Sequence, residues 1–514
     1  MSTLSDLLPA GSGGKNVDFV ASGAINNAQT VGLKSDGTVE AVSSTAISAS
    51  MGSKAQFNPG PVILGQYGSC FDSINNKLVV VWTDNDSGSA THQQMFSAVG
   101  TISGSTISFG ATALVENGNT YSPNCVFNVS SGKVIAVHYR ILSGSNNQIN
   151  ANEGTVNPSN NTITWTGGGS TGIRSDYNPI ALIYDPVAEA VVLFSTDLDT
   201  SSYLVACVGS DTGGGNVWGS LTTIEPSGTA GKGFGNVAAC FDSTNNLVVL
   251  GFKQGNGYAA CTVVTVNGTN RTLTLGNKST ALSNSINGMS LVYDPVQERV
   301  VLICTNTANS SRLTYVNGTV VTSGTPVTNW ASSGLVGNST STVFAPEGTA
   351  VYEPNTGKIA IIYRLGYAMY YTYGQVNTSN PDTSAFVSAT AFQTTDYAEW
   401  VSMTVDTSQN RIGCFYYDYS TSPRQGTSTV LTVPFTQTNI TSFIGIADAA
   451  ISDTATGSVT IKGGIATNAS LPTLTPNSVY YVQGDGTIST TSTSPAVRIG
   501  KALSSTSINL EFNS

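Results

Sequence analysis

One phrase recurs along the chain: an apolar triplet, an acidic or amide residue, a polar turn, then a β-branched run. It reads CFDSINNKLVVVWTD at Cys70–Asp84, VFNVSSGKVIAVHYR at Val126–Arg140 and IYDPVAEAVVLFSTD at Ile183–Asp197. It returns as CFDSTNNLVVLGFK at Cys240–Lys253, VYDPVQERVVLICT at Val292–Thr305, VYEPNTGKIAIIYR at Val351–Arg364 and TVDTSQNRIGCFYYD at Thr404–Asp418. The polar anchors Asp72, Asn128, Asp185, Asp242, Asp294, Glu353 and Asp406 follow one another at intervals of 52 to 59 residues. Such a period marks one supersecondary unit repeated side by side.

Each interval has room for two more strands. A third run ends near glycine, as in MFSAVG, YLVACVG and MYYTYG. A fourth carries a bulky residue: Phe109, Trp165, Trp218, Leu275, Trp330 or Phe386. Four strands per repeat without helical periodicity are the blade of a β-propeller. Seven anchors predict an all-β, seven-bladed β-propeller over residues 55–440. The last repeat supplies strands at Trp400–Asp406, Arg411–Tyr417 and Ser428–Phe435 but no fourth. Ala55-Gln-Phe57, with Phe57 as the bulky residue, fits the gap, so the N-terminal segment is expected to close the ring. Closure removes exposed sheet edges. Residues 1–54 read as an arm and a hairpin, Thr30–Leu33 with Val39–Val42. Residues 441–514 read as a separate small β module with strands at Ser442–Ile446, Ser458–Lys462, Ser478–Gln483 and Ser507–Phe512.

Composition agrees. Only 10% of the 514 residues are charged while 40% are hydrophobic, against about 25% charged in an average domain. Disorder needs the opposite balance. A net charge of −10 argues against a nucleic-acid surface. No apolar run is long enough for a membrane helix, and the N-terminus carries no signal-peptide pattern. The seven cysteines fall on strands and read as reduced core residues.

The anchors form a ring of polar groups, which two readings fit: a cation or substrate ring, or side-chain caps on the turn after strand one. The Asp-Pro pairs at Asp185 and Asp294 favour caps. In the loops before strand one, Tyr67, Tyr121, Tyr177, Phe234, Phe344 and Tyr397 lie five to nine residues ahead of their anchors. They suit either a mouth for sugar faces or an apolar partner surface, or packing between blades. The same face gathers Asp84, Arg140, Asp197, Lys253, Arg364 and Asp418 after strand two, with Asp176, Glu347, Asp396, Glu399 and Trp400 in the neighbouring loops. Candidate ligand-binding residues at this mouth are therefore the six aromatics with Glu347, Glu399, Trp400, Arg140 and Arg364.

Motifs for catalysis are weak. Gly11–Lys15 lacks the first glycine and the final hydroxyl of a phosphate loop. Asp84–Gly88 opens like a calcium loop, but its twelfth position is Met95. His92 and His138 are the only histidines, and the sialidase-type Ser-x-Asp-x-Gly-x-Thr-Trp box is absent. Paired carboxylates would suit a glycosidase, yet nothing sets Glu347, Asp396 and Glu399 at a defined separation. No catalytic residue, metal site or cofactor is expected.

The run SFIGIADAAISDTATGSVTIKGG at Ser442–Gly464 resembles the C-terminal module of virion structural proteins from marine tailed bacteriophages, of the cyanophage type. LTPNSVYYVQGDGTISTT, AVRIGKALSSTSINLEF and the opening LSDLLPAGSGGKNVDFVASGAINNAQTVGLKSDGTVEAV resemble the same tail-fibre-like proteins. So do the repeats, with a Tyr before strand one and the hairpin VGTISGSTISFG. The resemblance implies a virion structural protein, a tail fibre or receptor-binding protein presenting a propeller face for host attachment. It implies other virion proteins and a host cell-surface glycan or protein as partners, multiple copies per particle, and assembly in the host cytoplasm. It brings no catalytic residues. A capsid or tail decoration protein without ligand is the alternative, and a glycan hydrolase a third reading.

Overall fold

The computed structural model describes residues 15–58, 67–84, 88, 90–142, 147–175, 181–211, 216–232, 235–337, 343–344, 350–366, 368–393, 398–418, 420 and 425–511. Their regular structure is β throughout, apart from the single 3₁₀ turns Leu198–Thr200, Thr307–Asn309 and Ile440–Ser442. The chain divides into two compact units, Ala49–Val433 and Met1–Ser48 with Pro434–Ser514.

The larger unit is built from the repeated phrase. In the first repeat, strand Gly68–Asp72 turns back into Lys77–Thr83. Asp72 Oδ1 accepts the backbone N–H groups of Ile74 and Asn75, both at 3.0 Å. Asp185 accepts from Val187 and Ala188 at 2.9 Å, and Asp242 from Thr244 and Asn245 at 3.0 Å. Asn128 and Asp294 do the same. Glu353, one methylene longer, divides the task between its two oxygens, and Asp406 accepts from Ser408. Every anchor is at most 2% exposed. They cap turns, as the structural reading of the anchors expects. Burial pushes the Asp185 carboxyl up, against the two N–H donors that hold it down. The fourth residue past each anchor has positive φ: Asn76, Gly132, Glu189, Asn246, Glu298, Gly357 and Asn410.

Second strands are buried on both faces, Ala190–Asp197 from end to end. Alternate side chains therefore serve different neighbours. Leu78, Val80 and Trp82 pack against Phe415, Tyr417 and Val430 of the last repeat, whereas Val79 and Val81 pack against Val134 and Ala136 of the second. The same alternation joins each later repeat to the next. Hydrogen bonding links the fourth and fifth repeats as well, because Thr272–Asp294 serves both as an outer strand of one and the first strand of the other.

The bulky outer residues obey a pairing rule. Phe109 lies opposite Gly100, Trp165 opposite Gly154, Trp218 opposite Gly209, Trp330 opposite Gly318 and Phe386 opposite Gly374. A Cβ on any of these glycines would come within 3.0 Å of the facing ring, so the ring covers bare backbone. The fourth repeat pairs Val264 with Leu275 instead.

The strand pairing expected there forms: Ala55–Asn58 pairs with Gln425–Thr432. Ser50–Met51 joins the same strand further along. Phe57, however, does not hold the position assigned to it. That place belongs to Met51, opposite Leu431, which lies across from Ile412 as Gly100 lies across from Leu78. Phe57 instead packs among Tyr67, Trp82 and Phe415, with ring centroids 5.2 to 5.9 Å away.

In the smaller unit, Asn16–Val20, Thr456–Ile461, Phe443–Ala447, Thr30–Leu33 and Val39–Ala41 form one sheet. Residues 1–54 and 441–514, read above as separate segments, are thus partly interleaved by backbone hydrogen bonds. A second sheet orders Ile465–Thr467, Ser507–Leu510, Ala496–Ser504, Val479–Gln483 and Ile488–Ser489. Residues 1–14, which hold most of the proposed arm, lie outside the described residues.

Two outcomes are expected in denaturant unfolding. Gly318→Ala costs about 1–3 kcal/mol by overpacking, and adding Trp330→Leu restores part of it. Asp242→Ala costs about 1–3 kcal/mol, because two turn N–H groups lose their buried acceptor.

Candidate functional site

First strands of the repeats line a cavity of about 590 Å³. Its described lining is neutral: small and apolar side chains such as Phe71, Val237, Leu291 and Met403, with Asn124 and a few hydroxyls. Ser69 Oγ and Ser402 Oγ, from the first and last repeats, lie 2.7 Å apart. This size suits a small molecule, and the lining offers it apolar contact with sparse hydrogen bonding.

A polar cluster lies between the first and second repeats, built from the strand ends Ala113–Glu116 and Lys133–Arg140. Arg140 Nη2 is 3.5 Å from Glu116 Oε1, and His138 Nε2 is 4.0 Å from Glu116 Oε2. Asn150 faces His138 across the next strand pair. Asn152 Nδ2 donates to the Val115 carbonyl at 3.2 Å. Gln93 Nε2 donates to the Tyr121 hydroxyl, and the Tyr121 ring lies 6.2 Å from that of Tyr139. His138 is fully buried. Among the described residues, both its ring nitrogens, with Asn150 Oδ1 and Asn152 Oδ1, have no hydrogen-bond partner. Buried polar atoms left so are costly. Burial, with the charge of Arg140, pushes the His138 imidazole down to about 3, so it is neutral near pH 7.

The residues singled out from sequence fare differently. Tyr121 and Arg140 come together in this cluster. Tyr67, 7% exposed, packs in the core between the last and first repeats, its ring edge-on to Phe57 at 5.5 Å, and it also lines the cavity formed by the first strands. Arg364 lies in the sixth repeat, in register with Met369 and with the backbone of Phe344. Tyr177, Phe234, Glu347 and Tyr397, with Asp176 and Asp396, lie outside the described residues, as do the side chains of Phe344, Glu399 and Trp400. Three charges read as surface features are structural. Asp84, Asp197 and Asp418 are at most 9% exposed. Asp84 accepts from the Thr91 hydroxyl, Asp197 from the Arg174 N–H, and Asp418 from Lys54 and Gln393. Sequence reading missed Glu116, Asn150, Asn152 and Gln93, which become neighbours only when two repeats pack. The one available signal was His138, among so few ionisable groups.

No protein-family pattern matches the chain, and no curated protein matches it. Solved structures do. The BP39L lectin from Burkholderia pseudomallei is 12% identical over 70% of this chain and 94% of its own, with a TM-score of 0.51. A putative 6-phosphogluconolactonase from Bacteroides uniformis is 10% identical over 71% and 99%, at 0.44. The NanB sialidase from Streptococcus pneumoniae is 9% identical over 76% and 69%, at 0.39. At these identities the likeness to the lectin is one of fold alone, an all-β, propeller-like arrangement of sheets.

The state of His138 has a consequence for stability. Its unfolded imidazole binds a proton near pH 6.5, whereas the folded one does so only at about 3. The unfolded chain therefore binds more protons between those values. The contribution is complete above about pH 6.5 and is lost as pH falls toward 3. Thermal unfolding from pH 7 to 4 is expected to show a steeper loss in the parent than in His138→Asn. Equal slopes would show that His138 is not the group responsible.

Proposed function

We propose that the chain is a virion attachment protein of a tailed bacteriophage, recognising a host-surface glycan without cleaving it. In this reading Ala49–Val433 is a seven-bladed β-propeller closed by residues 50–58. The closing strand pairs and the packing of the last repeat on the first support that architecture. The virion assignment rests on the sequence resemblance of residues 442–464 and their neighbours to phage tail-fibre-like proteins.

The observation that carries recognition is the Glu116–His138–Arg140 cluster. In a chain with 10% charged residues, it combines an ion pair, a neutral imidazole and amides with unpartnered oxygens. Sugar hydroxyls donate and accept at the same atom, which matches such a mixed set. Affinity per site is low, and many copies on one particle raise the avidity. Other virion proteins anchor the chain in the particle, which is assembled in the host cytoplasm.

The test is binding of the purified chain to host cells and to their extracted surface polysaccharide. Arg140→Ala or Glu116→Gln is expected to weaken binding about tenfold, a loss of roughly 1.4 kcal/mol, with no reducing ends released. Normal adsorption by particles lacking the protein would overturn the attachment role, and release of reducing ends would make it a hydrolase.

A further inference from the structure

Two cysteines line the cavity formed by the first strands. Cys70 lies on Gly68–Asp72 and Cys125 on Thr120–Asn128, in adjacent repeats. Both are free, 6% and 5% exposed, and share one core cluster. Their strands approach closely: a Cβ on Gly68 would lie 2.5 Å from Asn124 Cα and 2.6 Å from the Cys125 nitrogen. The Cys70 thiol hydrogen-bonds Cys125. That bond, followed by burial and the nearby Asp72 charge, pushes the thiol well above its ordinary range. The Cys70 thiol is thus protonated and in contact with Cys125. The other cysteines do not line the cavity; Cys240, Cys261 and Cys304 gather in the core between the fourth and fifth repeats.

We propose that Cys70 and Cys125 are a dithiol modification site, oxidised by a small disulfide entering the cavity to a covalent bridge between the first two repeats. One cysteine, as thiolate, attacks the disulfide RSSR to give a mixed disulfide and releases RS⁻, which takes up the proton. The second cysteine sulfur then attacks the mixed disulfide, forming the Cys70–Cys125 bond and releasing the second RS⁻, which is likewise protonated. Two protein thiols and one RSSR become one protein disulfide and two RSH. At Cys70 the raised pKa leaves little thiolate, and both residues are buried, so the exchange is slow and the pair stays reduced in a reducing compartment. This inference stands apart from the glycan reading, since it uses neither the polar cluster nor the virion.

The experiment incubates the full chain with oxidised glutathione, quenches with acid, and counts thiols in denaturant. The count is expected to fall from seven to five, with peptide mapping joining residue 70 to residue 125. Dithiothreitol should reverse the change. The bridged form should melt a few degrees higher, since a cross-link constrains the unfolded chain. Cys70→Ser should form no bridge and should stop at a glutathione mixed disulfide, so its six thiols fall by at most one, and Cys125→Ala provides the same control if the first variant does not fold. In the parent chain, no loss of thiols, stable glutathione adducts, or a bridge among Cys240, Cys261 and Cys304 would each overturn the proposal.

Discussion

A buried side-chain oxygen, held by two backbone N–H groups just after the first strand of a repeat, is the contact on which the larger unit depends. It costs little because the carboxylate or amide meets fixed donors. It sets the length of the first hairpin, and that length sets which residues of the second strand face which neighbour. A slip of one residue would turn Val80 and Trp82 toward the wrong repeat. Anchor, left-handed residue and buried second strand therefore act as one device, copied at each repeat with small variations. Asn128 keeps the acceptor without the charge, and Glu353 keeps both N–H contacts by using two oxygens.

A second constraint acts at the outer edge. Aromatic rings lie over glycines of the third strand, and two rings reach beyond their own sheet. Trp165 Nε1 donates to Ser97 Oγ at 2.8 Å and Trp330 Nε1 to Ser279 Oγ at 3.0 Å. A residue that covers bare backbone on one side thus ties its sheet to the preceding one on the other. Where Val264 or Leu431 replaces the glycine, there is no room for a ring, and Leu275 or Met51 takes its place.

The repeats were legible in the sequence because anchor, turn and β-branched run are contiguous. So was the pairing of Ala55–Asn58 with the last repeat, because that repeat lacks a partner for its third strand. Its register was not legible. Phe57 looked correct because it is aromatic, but the position is defined by what lies across the strand, and Leu431 excludes a ring. The interleaving of the smaller unit was hidden for a related reason. Thr456–Ile461 meets Asn16–Val20 more than 400 residues away, and neither strand has an unusual pattern of its own. The polar cluster was half legible: Arg140 and Tyr121 stand at the ends of recognisable phrases, whereas Glu116 belongs to an outer strand of the preceding repeat.

The path of the chain also decides where a pull would be felt. Ser44–Ile47 lies antiparallel to Phe435–Thr438, immediately before and after Ala49–Val433. The two ends of the repeat array are therefore fastened to each other by their own backbone. Tension applied to the flanking segments loads this short pair and the Asn16–Val20 strand before it reaches any repeat.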